Sequence, residues 1–384
     1  MISPKYWALR YRSLTVLALL VLFVQVDAQT TWRRTYGGSD SDQLRDVRLV
    51  DDDGYVMVGS TGSFGNGSGD MYLLRVNNVG ELVWSRTFGD VAVQVGVGVV
   101  RTDNGFVVSG TTGNGEVGGY DIRLIGVDDQ GSEQWRSDLG TSDWDLCGDI
   151  DGDAIGFAVA GTTYGRGAGS GDALIIRTDL FGDTIWTRTF GTVGEDIGLG
   201  VDLMANGRSF RVVGTEQENA FVAAFDMNGS PLWSTILGGD SADYLSSVIE
   251  LPGSGYACVG GTRSYSNVLQ VWLVGLEEDG GFSWDQRFGS GGDTRMERIE
   301  RRPDGGIAMV GYNSAFNAGG KDMFLILTDA SGGFQLGKNY GGSDDEVGFG
   351  FRCTPDGGFI MVGSTNTYGP VICRAGSMRR DNGR

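Results

Sequence analysis

The sequence predicts an all-β protein, a seven-bladed β-propeller of four-stranded antiparallel blades, and three observations carry that prediction. A unit of about 51 residues recurs end to end. Each unit holds four short apolar runs parted by Gly-rich turns, and past residue 28 no stretch shows the 3.6-residue apolar period of a helix. The units are also offset from the chain ends by one strand, so that an N-terminal strand is left over to complete the last blade and remove an open edge.

An aromatic anchor recurs at Trp32, Trp84, Trp135, Trp186, Trp233 and Trp284, with Leu336 in the next place. Four residues after each stands Tyr36, Phe88, Leu139, Phe190, Leu237, Phe288 or Tyr340, followed by Gly. At period 2 both bulky side chains fall on one face of an outer strand, d. About 27 residues after each anchor a Gly (59, 110, 161, 214, 260, 311 or 363) closes an almost continuously apolar run, which reads as a strand b buried on both faces. A Gly there permits close backbone approach. Before each new anchor comes [Asp/Asn/Glu]-x-x-Gly-x-x-x-[Trp/Leu], from Asn77 with Gly80 to Asp329 with Gly332. An Asx residue opening a turn and a Gly able to take positive φ describe a hairpin with a type I turn and a G1 bulge, joining strands c and d. The first unit thus runs a (43–50), b (55–60), c (70–76) and d (82–88). Residues 31–36 form a lone d segment, and the chain's last unit stops after a c segment near 371–375, so the two should pair. A six-bladed ring would leave one set of strands unpaired.

Residues 1–28 read as a cleavable signal peptide: Lys5, Arg10 and Arg12 precede an apolar run at 14–26, and Val26-Asp27-Ala28 places small residues at −3 and −1. The run is too short for the roughly 18–20 residues of a membrane span. Secretion follows as the expectation, extracellular or periplasmic, with the propeller at 29–376 and a basic polar tail at 377–384.

The net charge of −19 disfavours nucleic acid and anionic lipid as partners. There is no His, which removes Ser-His-Asp, Cys-His and His-metal chemistry. Carboxylate pairs and oxygen-ligated calcium survive that filter. Cys147, Cys258, Cys353 and Cys373 contain no C-x-x-C and are expected to be small buried side chains, with Cys353 and Cys373 the one pair placed to bridge.

The combination Trp-x-x-x-[Phe/Tyr]-Gly, Asp-Gly-[Tyr/Phe]-x-x-x-Gly-x-Thr and Gly-x-x-Asp before strand c resembles the repeat of secreted bacterial β-propeller proteins, WD40/YVTN-like in the broad sense and common in the Bacteroidota. It covers residues 30–376. The Asp-x-x-Gly-x-x-x-Trp element is also similar to the tryptophan-docking motif of quinoprotein propellers, without their vicinal Cys pair, and implies blade packing only. Relatives of the first kind often end in a C-terminal sorting domain, whereas this chain ends on a basic tail. Propellers host many unrelated activities, so the resemblance implies a fold more than a function.

In this strand order the d-to-a and b-to-c connections share one face of the disc, here the first face. Carboxylates recur in its d-to-a loops and at the starts of its inner strands, Asp145, Asp196 and Asp243 among them, and suggest either a cation-binding funnel or caps for their own loops. Aromatics in its b-to-c loops, Phe64, Tyr265, Phe316 and Tyr368, suggest a sugar-binding face. The units that break the repeat, blades 4 and 5, add Glu216, Glu218 and Tyr265 as the preferred patch. Asp149-x-Asp151-x-Asp153 has alternate-carboxylate calcium spacing but lacks the Gly and the later Glu of that motif, and calcium is the one cofactor considered. Gly113-x-Gly115-x-x-Gly118 sits between strands with no helix after it and is set aside as a dinucleotide fingerprint.

The function expected is that of a secreted, monomeric, non-enzymatic binding or scaffold propeller engaging a protein or glycan through an acidic, aromatic-bearing face. No catalytic residue is assigned. The alternative is a carbohydrate-active hydrolase or lyase using Asp145, Asp196 and Asp243, for which the near-equivalent loops offer no asymmetric carboxylate pair.

Overall fold

A computed structural model describes residues 31–375, apart from 51–53, 68, 114, 116–118, 252, 254, 290, 316–319 and 367–368 and the side chains of 369–375. The segment expected to be a signal peptide, the expected tail at 377–384, Phe316 and Tyr368 lie outside the described residues. The described strands form twisted four-stranded antiparallel sheets arranged in a ring, with the inner strand of each sheet contacting the inner strands of its neighbours.

The expectation of seven like blades needs correcting. Six blades are each a continuous segment of chain, at 42–88, 94–139, 145–190, 196–237, 243–288 and 294–340. The remaining sheet is of different make-up. Its inner two strands, Glu346–Cys353 and Phe359–Thr365, form a complete hairpin. Outside them Gly369–Ala375 pairs along the backbone, and Trp32–Thr35 from the other end of the chain pairs with that strand. The structure is a propeller of six complete blades and a split closing sheet, and the extra strands are not left unpaired. The physical reason is that the d place of this sheet is taken by Trp32–Thr35, with four residues where the other d strands have seven, most of them exposed.

Each strand b is buried on both faces, as in Tyr55–Thr61 and Gly255–Thr262. The apolar side chains sort into clusters that each bridge adjacent sheets, such as Val58 and Leu73 of blade 1 with Val99 and Val108 of blade 2. Burial between blades thus holds the ring together.

The anchor aromatics staple blades from outside. Trp84 of blade 1 donates its indole N–H to the Asp129 carbonyl of blade 2 at 3.2 Å, and Trp32 and Trp186 make the same bond to Asn78 and Met227, each at 3.0 Å. The ring lies on the turn Gly of the next blade: at Gly131, φ is +73° and a Cβ would come within 2.8 Å of the Trp84 ring. Asp128 opens that turn by accepting from Gln130 N and Ser132 N at 2.9 and 2.8 Å, which holds its carboxyl below the usual range, and a bulge follows between Gly126 and Val127. The predicted hairpin chemistry is present. Trp84 is 8 % exposed, so Trp84→Ala is expected to cost about 3–5 kcal/mol. Urea unfolding checks this, and a loss under about 1 kcal/mol would remove the stapling role.

Candidate functional site

Every inner strand carries a bulge at the same height. Register slips between Leu44 and Asp46, Gly96 and Gly98, Cys147 and Asp149, Gly198 and Gly200, Leu245 and Ser247, Met296 and Arg298, and Gly348 and Gly350. The strand-b glycine pairs with the first residue of each slip, where the kinked strand approaches closely: a Cβ on Gly311 would overlap the Arg295 carbonyl. The residues skipped are Arg45, Val97, Gly148, Leu199, Ser246, Glu297 and Phe349, and all of them line the central channel. A bulge re-aims a side chain, and this one aims a ring of them inward.

The channel is divided at its waist. Arg298 of blade 6 reaches across to Asp149 of blade 3 in a bidentate pair, Nη1–Oδ2 2.5 Å and Nη2–Oδ1 2.7 Å, with both side chains largely buried. The fork-to-carboxylate geometry is the strongest such pairing available to side chains. Asp149 also accepts from Val201 N of blade 4 at 3.3 Å. On the other side Asp46 accepts from Val99 N at 3.1 Å and pairs with Arg48 at 3.0 Å and Arg352 at 3.2 Å.

Inner strands start at the first face and end at the second, so early residues line one vestibule and late residues the other. The first-face vestibule, about 440 Å³, has Arg45, Arg295, Arg298 and Lys321 in its wall against one lining carboxylate, Glu297. The second-face vestibule, about 990 Å³, is lined by Asp202, Glu250 and Glu300 together with Arg301 and Arg302. Burial raises the carboxyls of Asp151 and Asp202, the latter also through Asp151, Asp149 and Glu250, and burial pushes Glu300 up to about 7.

The predicted site residues fall elsewhere. Asp145, Asp196 and Asp243 are buried and cap their own loops: Asp145 accepts from Thr141 N at 2.6 Å, Asp196 from Gln217 N at 2.9 Å, and Asp243 from Gly239 N at 2.9 Å and Ser264 Oγ at 2.7 Å. That arrangement is the loop-capping alternative of the sequence reading. Glu216 stands beside Asp196 in the strand register, which with burial raises its carboxyl, while Glu218 is exposed. Tyr265 is half exposed with the Arg287 guanidinium 4.1 Å from its ring centroid, and Phe64 is exposed against Tyr72.

Asp149, Asp151 and Asp153 do not converge. Asp149 binds Arg298, Asp151 accepts from Leu203 N at 2.9 Å, and Asp153 pairs with Arg177 at 2.6 Å. Among the described residues no group of three or more carboxylate or thiol side chains is placed to hold a metal. Cys147, Cys258 and Cys353 are free thiols, and burial pushes Cys147 up to about 12.

Two features escaped the sequence reading. The first is the cationic channel mouth, whose Arg45, Arg295, Arg298 and Lys321 stand at different places in the repeat and so carry no periodic signal. The second is the pair Trp144 and Tyr120, which join Tyr164, an aromatic the repeat places in a b-to-c loop, in one group on the first face at blades 2 and 3. Trp144 is 51 % exposed, and Tyr120 and Tyr164 meet it edge-on at centroid distances of 5.3 and 6.3 Å. Tyr164 donates to the exposed carboxylate Glu195 at 3.0 Å, and Asp143 is exposed beside Trp144.

No protein-family model and no curated protein matches this sequence. Solved structures do resemble it in fold. Sqt1 from Chaetomium thermophilum aligns with a TM-score of 0.53 at 10 % identity, covering 91 % of this chain and 100 % of its own. Hydrazine synthase of Kuenenia stuttgartiensis aligns with a TM-score of 0.57 at 12 % identity, covering 85 % of this chain and 94 % of its own. At such identities the likeness is one of fold, and it agrees with the ring of blades described above.

Proposed function

We propose that this chain is an exported, non-enzymatic binding propeller that holds a glycan on its first face. The observation that carries the reading is Trp144, half exposed and propped edge-on by Tyr120 and Tyr164, with Glu195 and Asp143 at its border. A flat ring faces the apolar side of a sugar, and adjacent carboxylates accept from its hydroxyls. The composition of residues 1–28 supports export. The loop-capping duties of Asp145, Asp196 and Asp243 speak against the hydrolase reading, because a buried carboxylate that accepts bonds from its own loop is not offered to a substrate.

Affinity electrophoresis against a panel of polysaccharides tests this. Retardation by at least one neutral polysaccharide is expected, with Trp144→Ala weakening it about tenfold, the equivalent of roughly 1.4 kcal/mol. Reducing-sugar release should stay at background. Unchanged retardation in Trp144→Ala, or none with any polysaccharide, would overturn the reading.

A further inference from the structure

We infer that the first-face vestibule of the channel is a binding site for a compact oxyanion-bearing ligand, one carrying a carboxylate, sulfate or phosphate on a body of about monosaccharide size. The chain as a whole is strongly acidic, yet this wall gathers four cations. Two of them already have partners. Arg298 is held by Asp149, and Arg295 Nε lies 2.7 Å from Glu297 Oε1.

The other two are uncommitted. Arg45 makes no hydrogen bond or ion pair with any described residue; its Nε is buried without a partner, and its guanidinium rests 5.6 Å from the Phe349 ring centroid. Lys321 has no ion pair among the described residues, and its ammonium lies 4.5 Å from the Tyr312 ring centroid. A partly buried guanidinium with nothing to bind costs stability, and folds keep such groups where a ligand satisfies them. Its planar fork matches an oxyanion with two parallel bonds, and Lys321 adds a point charge.

The rest of the vestibule fixes the kind of body attached. Val97, Leu199, Val347 and Phe349 give it an apolar side, so an anion with carbon on its other face fits better than a fully hydrated ion. The volume of about 440 Å³ admits a single sugar or ring and excludes a polymer.

The bulges explain why the site exists. The bulge position takes part in no ladder pairing, so its side chain is free to vary without disturbing the sheet. The same position carries a cation in blade 1, a carboxylate in blade 6, where Glu297 is held by Arg295, an aromatic in the closing sheet and small or apolar residues elsewhere. This breaks the ring's symmetry where a ligand would sit.

Isothermal titration of the full folded protein at fixed ionic strength, with sodium glucuronate, inorganic phosphate and glucose, tests the inference. Saturable binding of glucuronate or phosphate and none of glucose is expected, and the tighter of the two anions identifies an organic or an inorganic source. Arg45→Gln and Lys321→Gln should each weaken it tenfold or more, Arg45→Lys should restore part, and Trp144→Ala should leave it unchanged. Arg45→Gln should also unfold no earlier than the parent when no anion is present, since it removes an unpaired charge; a purely structural Arg45 would lower the midpoint. No saturable binding of either anion at 10 mM (on the order of the weakest useful site), or equal binding by Arg45→Gln, would overturn the proposal. Loss of glycan retardation with anion binding intact would count against the first-face glycan reading alone.

Discussion

Replacing Asp149 by alanine is expected to destabilise the folded protein by about 3–5 kcal/mol, among the largest effects of any single substitution in the channel. The change leaves the Arg298 guanidinium buried at the waist with no counter-charge, and it also deletes the acceptor of Val201 N. The double variant Asp149→Ala with Arg298→Met should recover most of the loss, because removing both charges avoids the uncompensated cation. It should still fall short of the parent by about 1 kcal/mol for the missing bond between blades 3 and 4. Asp149→Asn should lie between, since it keeps an acceptor for Val201 while giving up the charge. Urea unfolding of the three variants checks the ordering. If the single and double variants are equally unstable, the pair is not what ties blade 6 to blade 3.

That bridge was not legible in the sequence, although most of the blade structure was. Repeats announce whatever every blade must do. The Trp anchors, the strand-b glycines and the Asx turns recur because each inter-blade seam needs the same staple, the same close approach and the same hairpin, and the structure uses Trp84, Gly311 and Asp128 in those ways. Arg298 and Asp149 stand at the same place in blades 6 and 3, the residue that closes the bulge, but other blades carry Gly98, Gly200, Ser247 and Gly350 there, so the repeat locates the position and not the pair that meets across the channel.

The same limit explains why the acidic loops invited a funnel reading beside the loop-capping one. Asp145, Asp196 and Asp243 are conspicuous because they recur, and they recur because each caps a loop. Arg45 in blade 1, and Arg295 and Lys321 in blade 6, have no charged counterpart of the same sign at the equivalent places of other blades, so no repeat marks them. Only closing the ring brings them into one mouth. The split closing sheet was half legible: the strand offset is written in the phase of the anchors, but the weakness of a four-residue exposed edge is a matter of packing.

Stability should fall as the pH rises through about 7, the reverse of ordinary acid denaturation. The cause is the second-face end of the channel, where the half-buried inner-strand carboxyls of Asp202, Asp151 and Glu300 are all raised by loss of water. Asp202 faces Asp149, Asp151 and Glu250, with Arg48 the only opposing charge among its main influences. Glu300 faces Asp46 and Arg48, pairs with Arg352 at 3.1 Å and accepts from Cys353 N at 2.6 Å, and burial outweighs these partners. A carboxyl whose pKa is raised on folding contributes stability that is complete below its unfolded value, 4.5 for Glu300, and lost as the pH passes its folded value of about 7. At about 1.4 kcal/mol per pKa unit, Glu300 alone accounts for on the order of 3 kcal/mol between those limits. The thermal midpoint should therefore drop from pH 5 to pH 8 (roughly the span of that titration), and Glu300→Gln should flatten the slope while raising the midpoint at the alkaline end. Gln keeps an acceptor for Cys353 N and leaves Arg352 to Asp46. Asp153, held below the usual carboxylate range by Arg177, acts in the opposite sense and only under more acid conditions, so the two effects separate along the pH axis. A midpoint that is flat or rising across the neutral range in the parent, or an unchanged slope in Glu300→Gln, would show that the vestibule acids are ionised and offset by the surrounding arginines.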